Sequence, residues 1–187
     1  MPYTMTLHAS GSCRPTSQRG PIAAAAVTMT NKYGRRTTQT HQLPPSPPPT
    51  PQRAQLSAII LALQQARLKT LQPRPGPGPR PRVDVTIHTD SKYALGCMTQ
   101  WCWKWARNGF RTRRGREVAD RDLIERALLL EGEVLRAGTV EWVWVPRGRN
   151  GAVGAVVEGV LDGMEFGSED EDGDEPVRRP EWEGGSW

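Results

Sequence analysis

The stretch Val85-Thr86-Ile87-His88-Thr89-Asp90-Ser91-Lys92-Tyr93 sets one carboxylate, Asp90, after an alternating apolar segment and before a serine suited to cap a helix. A carboxylate so placed is aimed over the C-terminal edge of a sheet, where α/β proteins bind ligands. It serves there as a catalyst or only as a negative charge at a helix start, and one residue does not separate the two. A second set is basic: Arg107, Arg111, Arg113, Arg114 and Arg116 lie close together after a Trp-rich segment. Arginine suits bidentate phosphate contact, and Trp103 beside it could stack on a base or sugar. The same arginines could equally form a solvated loop. Trp101 and Trp105 stand at i, i+4 and point to a core. The three cysteines, Cys13, Cys97 and Cys102, are odd in number and lack paired metal-ligand spacing. That argues against a disulfide scaffold and a structural zinc site, and for a reducing, intracellular home.

Charge is segregated along the 187 residues. From Glu165 onward there are nine acids and two arginines, a net of −7, while residues 1–164 carry a net of +12. Phosphate neutralisation by Lys and Arg is the leading reason for so basic a body, so nucleic acid is the expected partner. The like-charge block Glu169–Glu175 reads as a disordered acidic tail over 165–187. No apolar run approaches the roughly 20 residues that cross a bilayer, and the first twelve residues lack a secretory-signal pattern. No membrane partner is expected, and no protein partner is indicated.

The elements that must position these groups can be read in turn. Tyr3 to Ala9 suits a strand and Gly11 to Gly20 a loop. Ile22 to Met29 is a strand whose four alanines let something pack closely above it, and Tyr33 to Thr40 is a polar strand joined to it by a turn at Thr30-Asn31-Lys32. Leu56, Ile59, Ile60 and Leu63 fall at helical spacing within Arg53 to Lys69. Val83 to Thr89 alternates as a strand, and Ser91 opens a helix that Gly109 ends. Asp120 or Asp122 opens another helix, stopped by Gly138, and Val140 to Val145 is a strand. A last helix over Gly151 to Met164 is interrupted by four glycines, each costing about 1 kcal/mol relative to Ala. Three leading strands followed by helical crossovers predict a mixed sheet with helices on its faces. Residues 1–164 would form one domain, with proline-rich loops at 42–51 and 72–82.

Thr89-Asp90-Ser91-Lys92-Tyr93 resembles the ribonuclease H type 1 family. The likeness continues through Thr99-Gln100-Trp101, Asn108-Gly109-Phe110 and Asp122-Leu123-Ile124. Upstream, Ser10-Gly11-Ser12-Cys13 is similar to the family's Asp-Gly-Ser-Cys, and Gln52-Arg53-Ala54-Gln55-Leu56 to its Gln-Arg-Ala-Glu-Leu. Glu141 to Pro146 is similar to its last strand, and the proline run with Val145-Pro146-Arg147 resembles fungal members. The resemblance implies an α/β, ribonuclease H-like, mixed five-stranded sheet with helices on both faces.

It also implies a two-metal endonuclease that cuts the RNA strand of RNA–DNA hybrids. Four carboxylates would hold two Mg²⁺ (or Mn²⁺) ions about 3.5–4 Å apart. This chain departs from that set. Ser10 and Gln55 stand at two acid positions, Asp90 is retained, and the fourth position falls on Gly154 or, with a longer loop, on Glu158. The family's loop histidine is absent, with Arg149 nearest. Asp84 lies at the far end of its strand and His88 on the strand surface, so neither replaces a missing ligand. The expectation is a hybrid-binding protein with cleavage lost or strongly impaired, a pseudoenzyme. An active nuclease, a scaffold that does not bind nucleic acid, and a decaying copy are the alternatives.

Overall fold

A computed structural model describes residues 3–17, 20–30, 34–72 and 82–166. Strands β1 (Tyr3–Ser17), β2 (Gly20–Thr30) and β3 (Arg36–Gln42) form an antiparallel meander. Helix α1 (Pro51–Leu71) then carries the chain across to β4 (Val83–Thr89), which pairs in parallel with β1. Short helices α2 (Lys92–Gly96) and α3 (Cys102–Arg107) are joined by a π-helical turn at Cys97–Trp101. Helix α4 (Arg121–Leu135), strand β5 (Gly138–Trp144) and helix α5 (Gly151–Phe166) complete the fold. The sheet order is β3-β2-β1-β4-β5, with β5 parallel to β4. This is the mixed five-stranded sheet the sequence predicts.

Alternation along β1 and β4 divides the two faces. Met5, Leu7 and Ala9, with Val83, Val85 and Ile87, are buried beneath α1 and α4. Leu56, Ile59, Ile60 and Leu63 supply the buried face of α1 at the helical spacing seen in the sequence. Thr50 caps α1 by accepting from the Arg53 amide at 3.1 Å, and Pro51 opens it, where its missing N–H costs nothing. On the opposite face, Val153, Val157 and Leu161 of α5 seat on Ile22, Ala24 and Ala26. Small alanines on both sides of β2 let α1 and α5 approach the same strand. That packing carries the glycine-broken helix, which runs unbroken to Phe166.

Several boundaries differ from the sequence reading. Residues 11–17 are strand, not loop, because Gly11, Ser12 and Cys13 pair with Ala25, Ala24 and Ala23 across a continuous ladder. Backbone pairing overrides a Gly/Ser composition there. The Trp-rich helix ends at Arg107, before Gly109, and β5 starts at Gly138, two residues early. Gly138 is required at its place, since a Cβ would fall 1.7 Å from the Val83 carbonyl oxygen. The turn expected at Thr30-Asn31-Lys32, most of the 72–82 loop and the acidic tail from residue 167 lie outside the described residues. Among the described residues, no helix is long and apolar enough to cross a membrane.

Candidate active site

Parallel pairing of Ala9 with Thr89 makes Ser10 and Asp90 the next residues of two neighbouring strands at one sheet edge. Ser10 is buried. The first turn of α1 presses onto β1 at Gly11, where a Cβ would lie 2.3 Å from the Ala54 carbonyl carbon. That contact delivers Gln55, whose Nε2 donates to the Gly11 carbonyl at 2.6 Å. The other amide atom, Gln55 Oε1, is buried without a hydrogen-bond partner.

Asp90 is held from two sides. Trp144 Nε1 donates to its backbone oxygen at 3.3 Å, and the Val145 amide donates to the Thr89 carbonyl at 2.9 Å. Asn150, 2 % exposed just ahead of α5, donates Nδ2 to the Ala9 carbonyl at 2.9 Å and to Asp90 Oδ1 at 3.2 Å. Its Oδ1 lies 3.2 Å from His8 Nδ1. Asn150 therefore ties β1, β4 and the start of α5 together at the site. The sequence reading gives no role to Asn150 or to His8. For Asn150 the available signal was a polar residue just ahead of a helix, and for His8 a polar residue alternating with apolar Leu7 and Ala9 within β1.

The two candidates for the last acid are differently placed. At Gly154 a Cβ would meet open space. Glu158 is engaged: Oε2 lies 3.1 Å from Arg14 Nη2, and Oε1 lies 3.7 Å from Arg147. Arg14 also pairs with Asp162 and Glu165, both at 2.7 Å, so three acids of α5 converge on one guanidinium from β1. Those carboxylates hold the Arg14 proton more tightly than usual. Asp84 is at the other end of β4, paired with Arg82 and Thr139, which lower its pKa, Thr139 most strongly.

These donors do not fit a pair of Mg²⁺ ions. Hard divalent ions need several anionic oxygens, and here Asp90 stands with a hydroxyl and an amide already hydrogen-bonded to backbone. Among the described residues, no three His, Cys, Asp or Glu side chains are gathered so as to hold one ion together.

The arginine segment is an ordered protrusion. Buried Phe110 anchors it, with its amide donating to the Trp105 carbonyl at 2.8 Å and its carbonyl accepting from Val118 at 2.9 Å. Asn108 brackets Arg111 through both its amide atoms, and the Thr112 amide donates to the Arg116 carbonyl. Arg107, Arg111, Arg113, Arg114 and Arg116 are all exposed. No ion pair involves any of the five among the described residues. Trp101 and Trp105 pack on each other at 5.8 Å against the core, whereas Trp103 is 72 % exposed.

The RNase H family model matches residues 2–155. The chain belongs to the RNase H family. Ribonuclease H of Tolumonas auensis is 31 % identical over 147 residues, 79 % of each chain. That of Novosphingobium aromaticivorans is 43 % identical over 67 residues, 36 % of this chain and 43 % of the relative. The Schizosaccharomyces pombe ribonuclease H is 31 % identical over 121 residues, covering 65 % of this chain but 39 % of its own length. This chain thus spans less than half of the last two relatives. Among solved structures, LC9-RNase H1, a type 1 RNase H with the type 2 active-site motif, superposes with a TM-score of 0.66 at 21 % identity, over 87 % of this chain and 74 % of that one. The foamy viral protease-reverse transcriptase in complex with RNA/DNA hybrid gives 0.61 at 17 % identity, over 84 % of this chain and 20 % of that one. At those identities the likeness is one of RNase H fold.

Proposed function

We propose that this chain is an RNase H-fold protein that binds nucleic acid, an RNA–DNA hybrid foremost, and has lost or strongly impaired Mg²⁺-dependent cleavage. One observation carries the reading: Asp90 is accompanied by Ser10 and Gln55, neutral groups at two of the family's acid positions, and Gln55 turns its amide onto the Gly11 carbonyl. The open space at Gly154 supports that residue as the substituted fourth position, ahead of Glu158, whose two oxygens face guanidinium groups. One carboxylate cannot offset two divalent cations.

Binding rests on a different surface. Five exposed arginines, none in an ion pair among the described residues, and the exposed Trp103 form one basic, aromatic protrusion suited to phosphate and sugar contact. The free, buried Cys97 and Cys102 suit an intracellular setting, where thiols stay reduced. The proline run and Val145-Pro146-Arg147 support a fungal affinity.

Replacing Arg111, Arg113 and Arg114 by alanine weakens hybrid binding, and the slope of log K against log salt falls by roughly two to three. Filter binding of a labelled hybrid across a salt series measures this. An unchanged slope would remove the protrusion as the binding face. Salt-independent absence of binding in the parent chain would favour a scaffold role.

A further inference from the structure

We propose that the cavity between α1, the β3–α1 loop and the start of α4 binds a small amphipathic carboxylate, an aromatic or branched apolar body with one anionic head. The cavity holds about 350 Å³, within the roughly 300–1,000 Å³ of small-ligand sites. On α1, Arg53, Ser57, Ile60 and Gln64 recur at three- and four-residue steps, so they line it from one helix face. Leu43, Pro44 and Pro47 form one wall, and Leu123 and Arg126 of α4 form the other.

The walls are set before a ligand arrives. The Leu43 amide donates to the Ala23 carbonyl at 2.9 Å, and the Thr50 cap fixes the other end of the loop. The prolines between them restrict the backbone further. Walls held in this way lower the ordering cost of binding.

Two polar groups in this apolar setting lack partners, and they define the ligand. Ser57 is 8 % exposed, lines the cavity, and makes no side-chain hydrogen bond among the described residues. A hydroxyl withdrawn from water and left unpaired is costly, so a ligand polar atom beside it is stabilising. Arg126 is exposed at the cavity and forms no ion pair among the described residues. Asp122, one turn before it, is held instead by Arg53 through bonds of 2.9 and 2.6 Å. Asp120 also pairs with Arg53, so the Arg53 charge is already met and Arg126 is left to receive a carboxylate. Leu43 and Ile60, both buried, and the partly buried Leu61 and Leu123 supply apolar contact for the ligand body. The cavity includes none of Ser10, Gln55, Asp90 or the protrusion arginines, so the site does not depend on hybrid binding.

Naphthoate serves as the probe, with naphthylmethanol as its neutral counterpart. Each is titrated into the full isotope-labelled chain and followed by amide NMR shifts. Naphthoate should saturate one site, with the largest shifts at Ser57, Ile60 and Arg126, and bind about tenfold more tightly than the alcohol. Arg126→Gln should remove that preference. Arg136→Gln, which changes an exposed arginine at the far end of α4, should leave it intact. Ser57→Leu fills the cavity floor and should weaken both probes by at least about tenfold. Should that variant misfold, the shift map of the parent chain and the Arg126→Gln comparison still decide. No saturable binding, largest shifts outside the cavity, equal affinity for the two probes, or an acid preference that survives Arg126→Gln would each overturn the proposal.

Discussion

A chain carrying Ser10→Asp, Gln55→Glu and Gly154→Asp cuts an RNA–DNA hybrid in the presence of Mg²⁺, at a rate at least ~10³ above the parent, or about 4 kcal/mol of barrier. The gain follows from restoring four carboxylates around one sheet edge, enough charge to hold two ions that clamp the attacking and leaving oxygens. Each substitution has a local consequence. Gly154→Asp enters open space and removes a helix-interior glycine. Gln55→Glu turns a donor to the Gly11 carbonyl into an acceptor, so its side chain must leave that oxygen for a cation. Ser10→Asp places a charge where the parent side chain is buried, which is costly until an ion arrives. The triple variant therefore melts below the parent without Mg²⁺ and gains thermal stability as Mg²⁺ is added, by mass action. The parent melting temperature should not respond in that way. A folded triple variant that neither cuts nor responds to Mg²⁺ would show that Ser10, Gln55 and Gly154 are not the family's acid positions.

Gly11→Ala produces a large single-residue loss of stability. Its new methyl would lie 2.3 Å from both the carbonyl carbon and oxygen of Ala54 and 2.7 Å from the Gln55 amide nitrogen. All three are backbone atoms of the first turn of α1, so no side chain can swing aside. The helix must lift from β1, and α1 carries Leu56, Ile59 and Leu63 in the core. Overpacking of this kind costs about 3 kcal/mol. For a domain of this size that lowers the melting temperature by roughly 6–12 °C. Gly154→Ala is the contrast: nothing lies within 4 Å, and the change should stabilise α5 by up to about 1 kcal/mol. Thermal unfolding followed by circular dichroism compares the two. A Gly11→Ala chain melting with the parent would mean that α1 does not sit this close to β1.

Legibility in the sequence followed the range of the forces involved. Periodicity is local, so the alternating β4 and the apolar stripe of α1 could be read directly, as could the Ser91 cap, which accepts from the Ala94 amide at 3.1 Å. Residues 11–17 could not, because their strand character comes from Ala23 to Ala25 across the ladder. The apolar pattern of α5 was legible, but its glycines leave it marginal until Val153, Val157 and Leu161 find the alanine face of β2. At the site, Ser10, Gln55 and Asp90 are named from motif positions, and the fold brings the middle of β1, the first turn of α1 and the end of β4 together. Asn150 and His8 are 142 residues apart in sequence, and their contact depends on strand register that no local pattern records. The engagement of Glu158 by Arg14 is likewise a product of how α5 crosses β1.

The central claim, binding retained where two-metal cleavage is not, is tested by one incubation. A labelled RNA–DNA hybrid is mixed with the purified chain in Mg²⁺, in Mn²⁺ and in EDTA, and scored for both gel shift and cleavage, with Asp90→Asn as the control. The account predicts a salt-sensitive shift that survives EDTA, with no cutting by the parent chain above the level of the Asp90→Asn control. Metal-dependent cutting that Asp90→Asn abolishes would contradict it and make the chain an active hybrid nuclease.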